Sequence, residues 1–259
     1  MRIDVAFLPR DADPEILKTR AAVVFDVLRA TTSMTAALVA GVEEIQIFAN
    51  VASVRKSAGE IGLYPKPLLC GEENCLPPEG FDLGNSPGAF DRSLKGRTLF
   101  MSTTNGTKAI IAARTAKLLL VGALVNASAV AGAVIESGLD VTLICAGTNG
   151  EMAIEDAIGA GAVIEALRQS SGQALARSGQ AMEESDGARM ALRLFQSAKN
   201  DLKGALSCGA GGRNVLRAGL SQDIDFAASL DRFGKVVGRV ENRVVRRLQR
   251  LDMLGKPSR

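Results

Sequence analysis

"AAVVFDVLRATTSMTAALVAG", residues 21–41, decides how this chain is read. Ala21 to Phe25 is a continuous apolar run, the mark of a strand buried on both faces. It stops at Asp26, and Arg29, Thr31, Thr32 and Ser33 follow before an apolar helical pattern sets in. A solvated loop explains one of these residues. Together they look like equipment for an anion and a metal ion: a carboxylate for the cation, a guanidinium fork for oxyanions, and hydroxyls leading into a helix N-terminus.

On either side of this stretch, β-like runs alternate with helical patterns. Strands are expected near residues 2–8, 21–25, 44–48, 67–70, 97–102, 117–121 and 140–145, with a last β signal at 235–241. Helices are expected near 31–40, 51–59, 105–113, 127–137 and 150–169. The alternation predicts a three-layer α/β/α fold with a largely parallel or mixed sheet. Residues 170–180, "SSGQALARSGQ", read as a flexible connection, followed by a helix near 181–198 and a Gly-rich turn, "SCGAGGRN", at 207–214. That turn does not sit between a strand and a helix, so it is not a dinucleotide loop. The expectation is one α/β domain over 1–259 with a helical excursion at 170–214.

Composition narrows the chemistry. The 259 residues are 47% hydrophobic, enough for a sizeable core, and no apolar run is long enough to cross a bilayer. The N-terminal stretch lacks the pattern of a signal peptide, so a cytoplasmic protein is expected. A net charge of +3, no Trp and one Tyr argue against nucleic acid as a partner. The basic stretch at 239–259 reads as a solvated helix face or frayed tail. A homodimer is the expectation at this size. Cys70, Cys75, Cys145 and Cys208 form no CxxC pair and read as reduced thiols rather than a zinc quartet. Cys145, at a strand end, could be a nucleophile, but the place of the arginine that would grip a phosphate is taken by Glu151, and a core role fits better. There is no histidine at all, which excludes Ser-His-Asp triads, Cys-His pairs and His-ligated metals. Acid–base work falls to Asp, Glu, Lys, Cys, Tyr or metal-bound water.

One internal repeat stands out: "TLFMSTTNGTKAI" at 98–110 and "TLICAGTNGEMAI" at 142–154. Each reads as strand, Thr-Asn-Gly turn, helix. Thr103, Thr104, Asn105 and Gly106 in one copy, and Thr148, Asn149 and Gly150 in the other, can offer hydroxyls and backbone N–H groups to an anion, with Arg29. The plain alternative is that Asn and Thr only cap the helices that follow. Glu155 and Asp156 fall on a helix that is apolar almost all round, and buried acids need a partner, a proton or a metal. With Asp26, Glu72, Glu73 and Asp82 near other strand ends, the oxygen-only set suits Mg²⁺ as well as it suits caps and salt bridges.

The segments "VVFDVLRATTSMTAALVAGVEEI", "GFDLGNSP", "STTNGTKAI", "CAGTNGEMAIEDAIGAGAVIE" and "LSQDIDFAASLD" together resemble the 2-phosphosulfolactate phosphatase family. The resemblance implies Mg²⁺-dependent hydrolysis of a small phosphate monoester, named as 2-phospho-3-sulfolactate, on a route to coenzyme M. It carries over to Asp26, Arg29, Thr31, Thr32, Asp82, Asn85, Ser86, Thr104, Asn105, Gly106, Gly147, Thr148, Asn149, Glu155 and Asp156. The working assignment places Asp26, Glu72, Asp82 and Asp156 as metal ligands, Arg29 and the two turns on the phosphate, and Glu155 or Asp156 as proton donor. Lys108 could meet a second anionic group of the substrate, or be merely solvated. Two rivals stay open: an aspartyl-phosphate route through Asp26, weakened by Leu28 where such enzymes carry a second Asp, and a non-catalytic binder of phosphorylated metabolites.

Overall fold

A computed structural model describes residues 1–249 apart from 61, 63–64 and 179–181, and no side chain of 171–178. The expected alternation is present. The strands are β1 (Arg2–Ala6), β2 (Ala21–Phe25), β3 (Glu44–Ile47), β4 (Leu68–Gly71), β5 (Thr98–Ser102), β6 (Leu118–Gly122), β7 (Val141–Cys145), β8 (Glu183–Glu184), β9 (Gly238–Glu241) and β10 (Val244–Arg247). The helices are α1 (Pro14–Leu17), α2 (Ala30–Ala40), α3 (Val51–Glu60), α4 (Gly106–Ala112), α5 (Ala127–Ser137), α6 (Ile154–Ser178), α7 (Asp186–Ala198), α8 (Leu202–Cys208), α9 (Ala210–Arg217) and α10 (Ser221–Ala227).

The strands form one mixed sheet in the order β4-β5-β3-β10-β9-β6-β2-β7-β1-β8. Two faces are covered, and the period of two along a strand separates them. Ala21, Val23 and Phe25 of β2 enter a core with α5, α6 and α7. Ala22 and Val24 enter a second core with α2 and α4. This is why "AAVVF" is apolar at every position.

The sheet has two parallel blocks, β4-β5-β3 and β6-β2-β7-β1-β8. The β9–β10 hairpin joins them through antiparallel pairings on both sides. Three reversals in a row set the blocks in opposite directions. In a flat sheet β5 and β2 would stand roughly 24 Å apart, with their carboxyl ends on opposite edges. Yet a Cβ on Gly106, just after β5, would lie 2.7 Å from Asp26 Oδ2, just after β2. The sheet therefore twists and curls until the two carboxyl edges meet.

Several expectations are corrected. The helix expected at 150–169 starts at Ile154 and runs to Ser178, so 170–178 is helix rather than flexible connection. The Gly-rich stretch is not a turn: α8 and α9 meet at Gly209, and Gly211 and Gly212 are buried inside α9. Part of the basic C-terminal stretch is strand. Asn242 and Arg243 take φ of +50° and +65°, the tight turn that lets β10 fold back on β9. The rest of that stretch, 250–259, lies outside the described residues.

Candidate active site

The two blocks meet over a cleft of about 420 Å³. Asp26, Leu28, Arg29, Glu72, Asn85, Thr104, Asn105, Thr148 and Asn149 all line it, as do Cys75 and residues of α9.

Asp26 is held at the end of β2 by the helix that follows. Its Oδ1 accepts the Ala30 N–H at 3.1 Å, and its own N–H donates to Thr31 Oγ1 at 3.0 Å. Only 7% of it is exposed. Burial pushes its carboxyl up to about 7; the charges of Glu72 and Glu155 push the same way, while backbone N–H groups of Ala30 and Gly106 pull back.

Thr31 and Thr32 do not reach the cleft. Both are fully buried, and their hydroxyls donate to the carbonyls of Asp26 and Val27 at 3.0 and 2.8 Å. They shape the turn that presents Asp26. Arg29 reaches the cleft but is largely committed. Its Nη1 donates to Asp223 Oδ2 at 2.6 Å and Ser86 Oγ at 3.1 Å, and its Nη2 to the Cys75 carbonyl at 2.6 Å. The guanidinium, 3% exposed, ties α10 and the Cys75 loop to the β2 end.

Glu72 is aimed by two backbone groups. Its Oε1 accepts Thr104 N–H at 2.8 Å and its Oε2 accepts Cys75 N–H at 2.9 Å. Asn74 and Cys75 form a two-residue turn with positive φ, closed by the Glu73–Leu76 pair. Asn85, 3% exposed, leaves its Oδ1 with no partner among the described residues. Asp82 is elsewhere: it is exposed, accepts Leu69 N–H at 2.8 Å, and does not line the cleft. Lys108 is exposed on α4 and does not line it either.

The two Thr-Asn-Gly copies fold differently. In the first, Asn105 precedes α4 and Thr103 Oγ1 caps it by accepting Thr107 N–H at 3.1 Å. The second does not lead straight into a helix. Asn149 and Gly150 take φ of +54° and +81° in a tight turn closed by Thr148 and Glu151. Gly150 lies outside the cleft lining, and its carbonyl accepts from Arg10 at 3.2 Å. The copies meet where Asn149 N–H donates to Asn105 Oδ1 at 3.4 Å.

Asp156 and Glu155 open α6 behind this surface. Asp156 Oδ1 accepts Val27 N–H at 2.8 Å and Oδ2 accepts Gly147 N–H at 3.0 Å. Burial, then the charges of Asp26 and Glu155, hold its carboxyl well above the usual range. Through these two bonds it locks the ends of β2 and β7 together. Glu155 is 1% exposed, and its Oε2 has no partner among the described residues. Its Oε1 lies so close to Gly211 that a Cβ there would collide with it, and that Cβ would stand 3.5 Å from Thr148 Oγ1. Burial raises the Glu155 pKa, opposed by the Gly211 N–H and the Arg213 charge. Cys145 is core, its thiol pushed up by burial and then by the nearby acids.

Sequence reasoning missed α9, which gives Gly211, Asn214, Arg217 and Ala218 to the cleft wall, and Asp223, which anchors Arg29. Gly211, Asn214 and Arg217 lie three residues apart, a helical spacing that the glycines mask.

No group of three or more Asp, Glu, Cys or His side chains among the described residues is placed to hold a metal alone. The cleft still fits Mg²⁺, which takes only one or two carboxylates and keeps several waters. Asp26 and Glu72 offer carboxylates, Asn85 an unmatched amide oxygen, and the acids crowd one another in a way a cation relieves.

Residues 7–242 match the family described as 2-phosphosulpholactate phosphatase. A protein of Carboxydothermus hydrogenoformans named "Probable 2-phosphosulfolactate phosphatase" is 36% identical over 231 residues, 89% of this chain and 90% of that protein. One of the same name from Synechococcus sp. (strain CC9605) is 37% identical over 250 residues, 95% of this chain and 99% of its own. Another, from Clostridium acetobutylicum, is 33% identical over 232 residues, 89% of this chain and 94% of its own.

Proposed function

Since the chain belongs to the 2-phosphosulfolactate phosphatase family and is a phosphoric monoester hydrolase, we propose that its cleft hydrolyses 2-phospho-3-sulfolactate to 3-sulfolactate and phosphate, with Mg²⁺ as cofactor. The observation that carries the cofactor reading is Asp26. It is a buried carboxyl pushed up to about 7, by burial first and then by two acidic neighbours, at the floor of an open cleft. Such a site is short of positive charge.

Asp26 and Glu72 would hold the ion, with Asn85 Oδ1 as a neutral donor. The chemistry a bound Mg²⁺ supplies there is charge neutralisation at a phosphoryl oxygen and a more acidic water. Thr104, Asn105, Thr148 and Asn149 line the same cleft and orient the ester for in-line attack by water. Arg29 keeps its Nε–H for the phosphate while its Nη groups brace the wall. Glu155 does not itself line the cleft; from behind Gly211 and Thr148, which do, it is the proposed proton source for the leaving alkoxide. Burial favours its neutral form, and its Oε2 has hydrogen-bonding capacity to spare.

Phosphate release from 2-phosphosulfolactate tests the reading. Release with Mg²⁺ that stops with EDTA is the expected result. Release indifferent to EDTA, or none at all, contradicts it.

A further inference from the structure

Among the described residues, two cations line the cleft, Arg29 and Arg217. The charge of Arg29 is matched by Asp223, 2.6 Å away in a buried ion pair, which leaves it a hydrogen bond for the phosphate and no surplus charge. Arg217 makes no ion pair among the described residues. Its Nε donates to the Arg213 carbonyl at 3.3 Å and its Nη2 to Asn214 Oδ1, both neutral acceptors. Those two bonds hold the guanidinium in place and leave its charge unmatched. Gly211, Asn214 and Arg217 recur every three residues, so one face of α9 forms this wall.

The two carboxylates of Asp26 and Glu72 match the charge of the Mg²⁺ proposed there, so the floor has no positive charge to spare for a second anionic group. A phosphate ester carrying a second anionic group therefore needs a positive charge away from that floor, and Arg217 supplies it. We propose that the α9 face is the specificity subsite, with Arg217 binding the carboxylate or sulfonate carried beside the phosphate ester and Asn214 aligning its guanidinium. This rests on the phosphatase reading above. It makes Arg217, rather than Lys108, the residue that selects anionic substrates.

The test uses wild type, Arg217→Gln and Arg217→Lys, with unchanged melting temperature as the folding control. Kinetics are measured with Mg²⁺ on 2-phospholactate, on the phosphate ester of 2-hydroxyethanesulfonate, and on isopropyl phosphate, which has no second charge. For Arg217→Gln, KM rises about tenfold or more on an anionic substrate while kcat stays within about threefold. Isopropyl phosphate is unaffected, and Arg217→Lys recovers part of the loss. A loss confined to one of the two anionic esters identifies the group Arg217 holds. Equal losses on all three substrates, or none, overturn the proposal. If wild type hydrolyses none of them and releases no phosphate from 2-phosphosulfolactate either, the phosphatase reading fails, and calorimetric binding of 3-sulfolactate against inorganic phosphate decides Arg217 separately. Arg217→Gln must then lose sulfolactate binding and keep phosphate binding; retained sulfolactate binding overturns the subsite.

Discussion

The Asp156 carboxylate accepts the backbone N–H of Val27, 129 positions earlier in the chain, at 2.8 Å. Its other oxygen takes Gly147 N–H. One buried side chain thus fixes the backbone just after β2 against the turn just after β7, and the cleft floor is set by that connection. Replacing Asp156 by Ala leaves two buried N–H groups unsatisfied, each costing about 1–3 kcal/mol. We expect a variant destabilised by several kcal/mol in urea unfolding. Unchanged stability would mean that the amides find other partners.

Glu155→Gln keeps an acceptor for Gly211 N–H and removes a buried charge. The sign follows from its raised pKa. The folded carboxyl binds a proton more readily than the unfolded one, so Glu155 costs stability as pH rises above the ordinary carboxylate range of about 4. Without metal, Glu155→Gln should melt higher than wild type at pH 8 and close to it at pH 4. Phosphate release should fall, because the proposed donor is gone. A melting point lower than wild type at pH 8 would refute the burial argument.

Gly211→Ala places a methyl against Glu155 Oε1. The clash should cost about 1–3 kcal/mol. Much of that cost should vanish in the Glu155→Ala background, and a double-mutant cycle measures the difference. Additive effects would show that the two residues do not press on each other.

Arg29→Gln leaves Asp223 buried without its counter-charge, a loss of about 3–5 kcal/mol. Replacing both by apolar residues, Arg29→Met with Asp223→Leu, should recover most of the stability while activity stays low. Chemical denaturation of wild type and these two variants separates the outcomes.

Asp82→Asn should leave Mg²⁺-dependent phosphate release within about twofold of wild type, since Asp82 is exposed and bonded to Leu69 N–H outside the cleft. A large loss would place Asp82 back among the metal ligands.

Much of this was legible in the chain itself, for physical reasons. Apolar runs at β2, β6 and β7 declared a sheet covered on both faces, and an acid closing the β2 run pointed to the site. The two Thr-Asn-Gly copies misled, because Asn-Gly is as strong a tight-turn signal as Thr-Asn is a capping signal. Only the partner, Glu151 in one case and Thr107 in the other, decides between them. Helix α9 was hidden because glycines argue against a helix. Gly211 is there to admit Glu155, a contact 56 residues away in sequence that no local pattern contains. Thr31, Thr32 and Arg29 cluster with Asp26 at the end of β2. Their hydroxyls and guanidinium turned out to serve backbone carbonyls and Asp223, which one-dimensional spacing cannot distinguish from service to a ligand.

The most direct measurement is Mn²⁺ binding, as a Mg²⁺ surrogate, followed by electron paramagnetic resonance on wild type and Asp26→Asn, alongside phosphate release. The expected result is a bound-ion signal in wild type that is weakened at least tenfold in the variant, together with activity. Full Mn²⁺ binding by Asp26→Asn would contradict the claim that this buried aspartate holds the ion.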